Sequence, residues 1–266
     1  MAILSEAESA RQFSTMVDVD IDLFDMCLKK SFPDHPSIGS PVREQLLRHV
    51  KGVVALRSQV NLVGTDSLEE VVKRHTADSL HLSALSGLPA GGRWADVGTG
   101  GGFPGLVFAL SVPTVEILLI ETKTRKREAL QKILSDLIRH DSALKDRVRL
   151  DANRAEELGQ EESVRDRLDG VVCRALAPFP VALELCLPLV RPGGIGVFFK
   201  GARFQEECAQ ASVALEELGG RIERVSPYRL ETDGISRALV VVSKVCETPA
   251  RYPRRVGVPG RRPLGS

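Results

Sequence analysis

The sequence predicts an α/β protein whose mostly parallel, seven-stranded sheet is preceded by N-terminal helices. From Arg93 onward, short apolar and β-branched runs alternate with segments of helical periodicity, the pattern of a doubly wound parallel sheet. A glycine-rich stretch over 96–105 follows the first of these strands and leads into a helix. The last two strands, near 221–230 and 238–245, have no helical pattern between them, so we expect a hairpin there.

Length and composition allow one such domain with extensions. The 266 residues can bury a substantial core, and 36 basic against 35 acidic residues give a net charge of +1, which indicates no charged partner. The five cysteines form no C-x-x-C pair, which argues against a zinc site or a disulfide framework and favours a reducing compartment. The sequence shows neither a leader pattern nor a membrane-length apolar run. We therefore expect a cytoplasmic monomer without membrane contact or metal.

We divide the chain into an N-terminal helical extension (1–63), a strand–helix domain (64–247) and a basic tail (248–266). The tail contains five arginines, four prolines and no acidic side chain. Arginines held extended by prolines can bind RNA phosphates, and Tyr252 could stack on a base. The alternatives are a disordered solubilising tail and a segment that packs on the fold.

The glycine-rich stretch indicates a nucleotide-type cradle. Gly98, Gly100 and Gly102 let the backbone turn through positive φ and bring its N–H groups close to a ligand. From Gly100 the spacing also matches the weak dinucleotide fingerprint G-x-G-x-x-G. Asp96, however, stands just ahead of these glycines, where a carboxylate repels a pyrophosphate and attracts the ammonium of an amino-acid-bearing cofactor. The pattern therefore favours S-adenosylmethionine, and a methyltransferase, over NAD.

Further candidates follow the other strands, at the edge where ligands of open α/β sheets bind. Glu121 ends the second strand, where a carboxylate accepts hydrogen bonds from ribose hydroxyls. Arg174 follows the fourth strand and Lys200 ends the fifth. The turn at 152–157 stands where adenine binds on such a sheet. We expect these positions to surround one ligand site.

One predicted helix places His75, Asp78 and Ser79 on the same face. These residue types occur in hydrolase triads, but neighbours on one helix cannot easily splay around a scissile bond. We expect this face to buttress the cofactor loop or to meet the substrate. A purely solvated face is the alternative.

With these elements placed, the chain resembles the RsmG (GidB) family of bacterial 16S rRNA guanine-N7 methyltransferases from about residue 44 onward. The resemblance implies a class I, Rossmann-like fold that uses S-adenosylmethionine, with 16S rRNA of the small ribosomal subunit as partner. Two departures are a long N-terminus over 1–40 and Gly101, where a proline is common. The motifs that carry the resemblance lie at 61–63, 74–79, 96–105, 154–157, 173–175, 199–201 and 251–255.

The resemblance also implies roles for individual residues. Together with the patterns above, it gives a cofactor pocket of Asp96, Gly98, Gly100, Gly102, Phe103, Glu121, Ala155, Glu156 and Arg174. It implies that Lys200 lies on the substrate side, and we take Arg174 and Lys200 as the candidate catalytic residues. The candidate substrate contacts are His75, Arg125, Lys200, Arg251, Arg254 and Arg255.

The sequence after the fourth strand bears on the methylated atom. An exocyclic amine normally needs an Asp/Asn-Pro-Pro-aromatic acceptor set at this point, and residues 173–176 lack it. Guanine N7 has a lone pair and no proton, so it requires no general base. Two alternatives stay open: a small-molecule methyltransferase, and a non-catalytic RNA-binding protein on a methyltransferase scaffold.

Overall fold

One seven-stranded sheet organises this protein, whose computed structural model describes residues 21–31, 38–64, 67–89, 91–230 and 233–266. The strands are β1 Gly92–Val97, β2 Val115–Ile120, β3 Val148–Asp151, β4 Leu168–Arg174, β5 Val190–Lys200, β6 Gly220–Arg229 and β7 Ser236–Lys244. They lie in the order β3-β2-β1-β4-β5-β7-β6. Strands β1 to β5 pair in parallel, and β7 is antiparallel to both β5 and β6. The mostly parallel sheet and the final hairpin are thus confirmed.

Helices precede and connect the strands. Before the sheet come α1 Ile21–Ser31, α2 Ser40–Ala55, α3 Leu68–Val71, a π-helical turn Val72–Thr76 and α4 Ala77–Ala84. The later helices are α5 Gly105–Ser111, α6 Thr124–His140, α7 Leu144–Arg147, α8 Ala155–Leu158, α9 Phe179–Cys186, α10 Phe204–Gln210, α11 Ser212–Leu218 and α12 Val258–Arg261. The helical extension expected over 1–63 lies outside the described residues up to position 20.

Two hydrophobic cores lie on opposite faces of the sheet. Successive side chains of a strand point to opposite faces, so Trp94 of β1 joins one core and Ala95 the other. The first core includes Leu46 and Val50 of α2, so the N-terminal helices share it with the sheet. The second includes Tyr252 of the C-terminal segment.

The C-terminal segment 248–266 folds against the sheet domain. The guanidinium of Arg254 donates to both oxygens of the fully buried Glu184 carboxylate, at 2.8 and 2.6 Å. Arg165 donates to backbone carbonyls of the same segment. Tyr252 is only 6% exposed. The expectation of an extended strip with Tyr252 free to stack on a base is therefore wrong, because acidic and basic side chains elsewhere in the chain secure this segment.

Among the helices of the described ranges, none has the length and hydrophobicity of a membrane-spanning segment. The same ranges hold no group of three or more His, Cys, Asp or Glu side chains arranged to bind a metal ion. All five cysteines are free thiols.

Candidate active site

The glycine loop joins β1 to α5 at the carboxyl edge of the sheet. Gly98, Gly100 and Gly102 have φ angles of +78°, +58° and +91°, a region that favours glycine. Gly105, which begins α5, is equally constrained by space, since a Cβ there would lie 2.4 Å from the Cβ of Asp96. The tight turn expected from the glycine spacing is confirmed.

Asp96 lies beneath this loop and is fully buried. Its Oδ2 accepts a hydrogen bond from the Gly105 N–H at 2.8 Å. Burial raises the pKa of this carboxyl to about 6, although the nearby Thr99 hydroxyl, the Gly105 N–H and the charge of Arg174 act in the opposite direction. Among the described residues, its buried Oδ1 has no hydrogen-bond partner. A carboxylate with a free oxygen beside a ligand loop suits a cation, so this position fits the ammonium group of S-adenosylmethionine.

Glu121 connects the loop to the end of β2. Its Oε2 accepts from the Gly100 N–H at 3.2 Å, and its Oε1 accepts from the Lys123 N–H at 2.8 Å. The side chain is buried. Glu121, the carboxylate expected to contact the ribose, is thus hydrogen-bonded directly to the glycine loop.

A cavity of about 540 Å³ opens beside the loop, a size common for small-molecule sites. Five of the expected site residues line it: His75, Gly98, Gly100, Phe103 and Arg174. The other lining residues are Asn61, Leu62, Val63, Gly64, Thr99, Gly101, Lys123, Lys126 and Ala175. Six other expected residues do not line this cavity: Asp96, Gly102, Glu121, Ala155, Glu156 and Lys200.

Arg174 meets the polar face of the π turn and α4 at the cavity wall. Its Nη1 donates to Asp78 Oδ2 at 2.8 Å, and its Nη2 lies 2.9 Å from His75 Nδ1. Since arginine only donates, His75 Nδ1 must accept. Burial and the Arg174 charge lower the pKa of His75 to about 3, which keeps the ring neutral. The guanidinium also lies 5.6 Å from the centre of the Phe103 ring.

Ala155 and Glu156 begin α8, beyond the end of β3. Ala155 is buried, and Glu156 Oε1 accepts from the Gly257 N–H at 3.1 Å. The C-terminal segment therefore contacts the residues that were expected to hold adenine.

Lys200 ends β5 but lies away from the cavity lining. Its Nζ donates to Glu207 Oε2 at 2.8 Å and stands 4.5 Å from the centre of the Phe179 ring. The side chain is 6% exposed. The structure thus places Lys200 and Arg174 at neighbouring strand ends, in separate surroundings.

The arginines expected to meet the substrate differ in their surroundings. Arg125 is exposed on α6, and Arg255 is exposed in the C-terminal segment. Arg251 donates to Glu217 at 2.5 Å, and Arg254 is bound to Glu184 as described above. The two arginines with carboxylate partners secure the segment on the fold.

His49 is a site residue that sequence reasoning missed. This fully buried side chain of α2 has its Nε2 2.6 Å from the carbonyl oxygen of Gly101, and its ring lies 4.6 Å from that of Phe103. Burial lowers its pKa to about 4, so the neutral ring donates from Nε2 to the loop. The sequence does contain a sign that His49 is buried, because this residue falls on the apolar side of α2 between Leu46 and Val50.

The strand order, the single antiparallel strand β7 and the glycine loop after β1 define the Rossmann-like, S-adenosylmethionine-dependent methyltransferase fold. Within this class the chain belongs to the GidB family, described as rRNA small subunit methyltransferase G, whose model matches residues 42–240. The resemblance read from the sequence motifs is thus confirmed.

Relatives from several organisms support this assignment. The chain is 40% identical over 208 residues to the ribosomal RNA small subunit methyltransferase G of Syntrophomonas wolfei, covering 78% of this chain and 92% of the relative. It is 37% identical over 227 residues to the protein of the same name from Deinococcus radiodurans, with 85% and 87% covered. The corresponding protein of Symbiobacterium thermophilum is 36% identical over 221 residues, with 83% and 89% covered.

Proposed function

We propose that this chain transfers a methyl group from S-adenosylmethionine to N7 of a guanine in 16S rRNA of the small ribosomal subunit. The observation that carries the proposal is the cavity that unites the positive-φ glycine loop with Arg174, above a buried Asp96 that has one free oxygen. The names of the family and of its relatives support rRNA as the substrate class. A ribosomal substrate favours the cytoplasm as the location of the reaction.

The cofactor supplies a methyl group carried on a sulfonium, which is an electrophile. We assign its amino-acid end to the glycine loop and Asp96, whose unpartnered oxygen suits an ammonium. Glu121, fixed by the Gly100 N–H, is the proposed ribose partner. Ala155 and Glu156 are the proposed adenine contacts.

Methylation at N7 demands alignment more than acid–base chemistry. The N7 lone pair forms the new C–N bond while the C–S bonding pair stays with sulfur, so no proton moves. Alignment of two reactants can lower a barrier by roughly 7–11 kcal/mol. We assign this task to Arg174 and Phe103 at the cavity wall and to Lys200 on the substrate side. N7 lies on an edge that a deep A-form groove hides, so the target guanine should be in a loop or flipped out.

The basic side chains outside the cavity are the proposed contacts to the RNA. Exposed Arg125 and Arg255 can neutralise phosphates directly. Arg251 and Arg254 are also proposed RNA contacts. Their main role is to anchor the segment that presents Arg255, because each is bound to a carboxylate of the fold. His75 differs from these arginines because it lines the cavity, and its neutral ring, 5.4 Å from that of Phe103, is a further proposed substrate contact.

Incubation with methyl-labelled S-adenosylmethionine tests the proposal. The substrates are 16S rRNA, either free or within 30S subunits, and a mixture of small methyl acceptors. We expect label in the RNA, released as 7-methylguanosine on digestion. Label in a small acceptor alone would support a small-molecule methyltransferase instead. RNA binding without consumption of the cofactor would show a non-catalytic RNA-binding protein.

A further inference from the structure

Asp78 is the centre of a buried polar cluster behind the cavity. Its side chain is 6% exposed, and its Oδ2 accepts from Arg174 at 2.8 Å. Its Oδ1 accepts from the Tyr228 hydroxyl at 2.6 Å, and the Arg237 guanidinium lies 3.8 Å from the same oxygen. One carboxylate therefore joins α4 to β4, β6 and β7.

The same helical segment holds Arg174 at a second point. His75, which lies in the π-helical turn Val72–Thr76, accepts from Nη2 while Asp78 accepts from Nη1. π turns within α-helices are frequent at functional sites. Two acceptors on one segment thus fix the orientation of a planar guanidinium, which a single acceptor could not do.

The pairing also determines the charge at the cavity wall. Arg174 lines the cavity together with Lys123 and Lys126. An uncompensated guanidinium there would repel a cofactor that carries a sulfonium, and it would repel the positive charge that guanine acquires on N7 methylation. The Asp78 carboxylate, 2.8 Å from Arg174, offsets that charge in a buried environment.

We propose that Asp78 is a positioning residue for methyl transfer, which fixes the Arg174 guanidinium at the cavity wall and offsets its charge. Tyr228 in turn fixes Asp78 from the opposite side. The catalytic part of this inference rests on the proposed function, whereas the fixing of Arg174 by Asp78 can be measured without any reaction.

A double-mutant cycle tests the catalytic part. We expect Asp78→Ala to lower kcat/KM on the order of 10²-fold, mainly through kcat, because it releases a group that aligns the reactants. In an Arg174→Ala background the same change should cost less than about threefold, since the two residues act as one unit. Asp136→Ala, which breaks an ion pair with Arg139 on α6, is the matched control and should leave kcat/KM unchanged. Equal losses in both backgrounds, or no loss in either, would overturn the proposal.

Nitrogen NMR of the Arg174 guanidinium in the cofactor-free protein tests the structural part. Slow rotation of the terminal nitrogens is expected in the wild type and fast rotation in Asp78→Ala. Asp78→Asn, which keeps an acceptor and is the substitute if Asp78→Ala does not fold, should keep slow rotation and show an intermediate loss of kcat/KM. Unchanged rotation in Asp78→Ala, or fast rotation in the wild type, would contradict the inference. A wild-type protein that fails to methylate rRNA contradicts the proposed function, while the NMR result still decides whether Asp78 fixes Arg174.

Discussion

Nε2 of His49 lies 2.6 Å from the carbonyl oxygen of Gly101, so a helix that precedes the sheet holds the loop expected to bind the cofactor. We expect His49→Phe to lower the affinity for S-adenosylhomocysteine by about 0.5–1.5 kcal/mol, the usual net value of a hydrogen bond. His49→Gln, which retains a donor, should recover part of this loss. Isothermal titration calorimetry measures both, and identical affinities in all three proteins would show that the contact does not shape the loop.

The same residue should make stability depend on pH. The pKa of His49 is about 4 in the folded state and near 6.5 in the unfolded chain, so the unfolded state takes up the proton first as the pH falls. Stability is therefore retained above pH 6.5 and is lost between pH 6.5 and 4, by about 3 kcal/mol. Urea denaturation across this range should show a smaller loss in His49→Gln than in the wild type. Parallel profiles for the two proteins would contradict this expectation.

Asp96 should show the opposite dependence. Its pKa is raised to about 6, so the ionised carboxylate costs the folded state stability above pH 6, and that cost disappears as the pH falls towards 3.8. Asp96→Asn has no carboxyl to ionise, so its stability relative to the wild type should increase by a few kcal/mol as the pH rises from 3.8 to 6, and the difference should persist above pH 6. It should also weaken binding of S-adenosylmethionine by about 1–3 kcal/mol, because a charge-assisted hydrogen bond is lost. If calorimetry at pH 7.5 shows that Asp96→Asn binds S-adenosylmethionine as tightly as the wild type, Asp96 does not contact the cofactor.

The Arg254–Glu184 pair should govern the stability of the C-terminal segment. Arg254→Ala leaves the fully buried Glu184 carboxylate uncompensated, so we expect a loss of about 3–5 kcal/mol in the free energy of unfolding. Adding Glu184→Gln should restore part of it. Arg255→Ala, at an exposed neighbour, is the control and should change stability by less than about 0.5 kcal/mol. Equal effects of the two arginine variants in chemical denaturation would refute the anchoring role.

Arg255→Ala should instead affect RNA binding. Loss of one phosphate contact lowers the slope of log affinity against log salt by about 0.7–0.9. Affinity for 16S rRNA measured at several salt concentrations gives this slope directly. An unchanged slope would remove Arg255 from the RNA interface.

Local patterns accounted for much of the fold and for part of the site. The acid, the alternating glycines and the strand before them are consecutive in sequence, so their arrangement follows from the backbone of one turn. Glu121 was predictable because parallel strands end at the same edge of a sheet. The pairing of Asp78 with Tyr228 joins residues 150 positions apart, and no periodicity connects them.

In the C-terminal segment, too, contacts with residues far away in the sequence could not be predicted from local composition. Its composition indicated an extended, phosphate-binding strip, because its own 19 residues contain arginines and no acids. The compensating carboxylate of Glu184 lies 70 positions earlier, on α9. The position of His49 on an apolar helix face indicates burial, but it does not reveal which backbone carbonyl the ring contacts.

Calorimetric titration with cofactors tests the central claim, that the glycine loop is an S-adenosylmethionine site, most directly. We expect S-adenosylmethionine and S-adenosylhomocysteine to bind with one site per chain, and NAD not to bind. Gly98→Val should abolish binding, because Gly98 has a φ of +78° and a Cβ there would lie 2.8 Å from Leu176. Gly260→Ala, at a position with open space around it, should bind normally. Tight binding of NAD, or S-adenosylmethionine binding that survives Gly98→Val intact, would contradict the account.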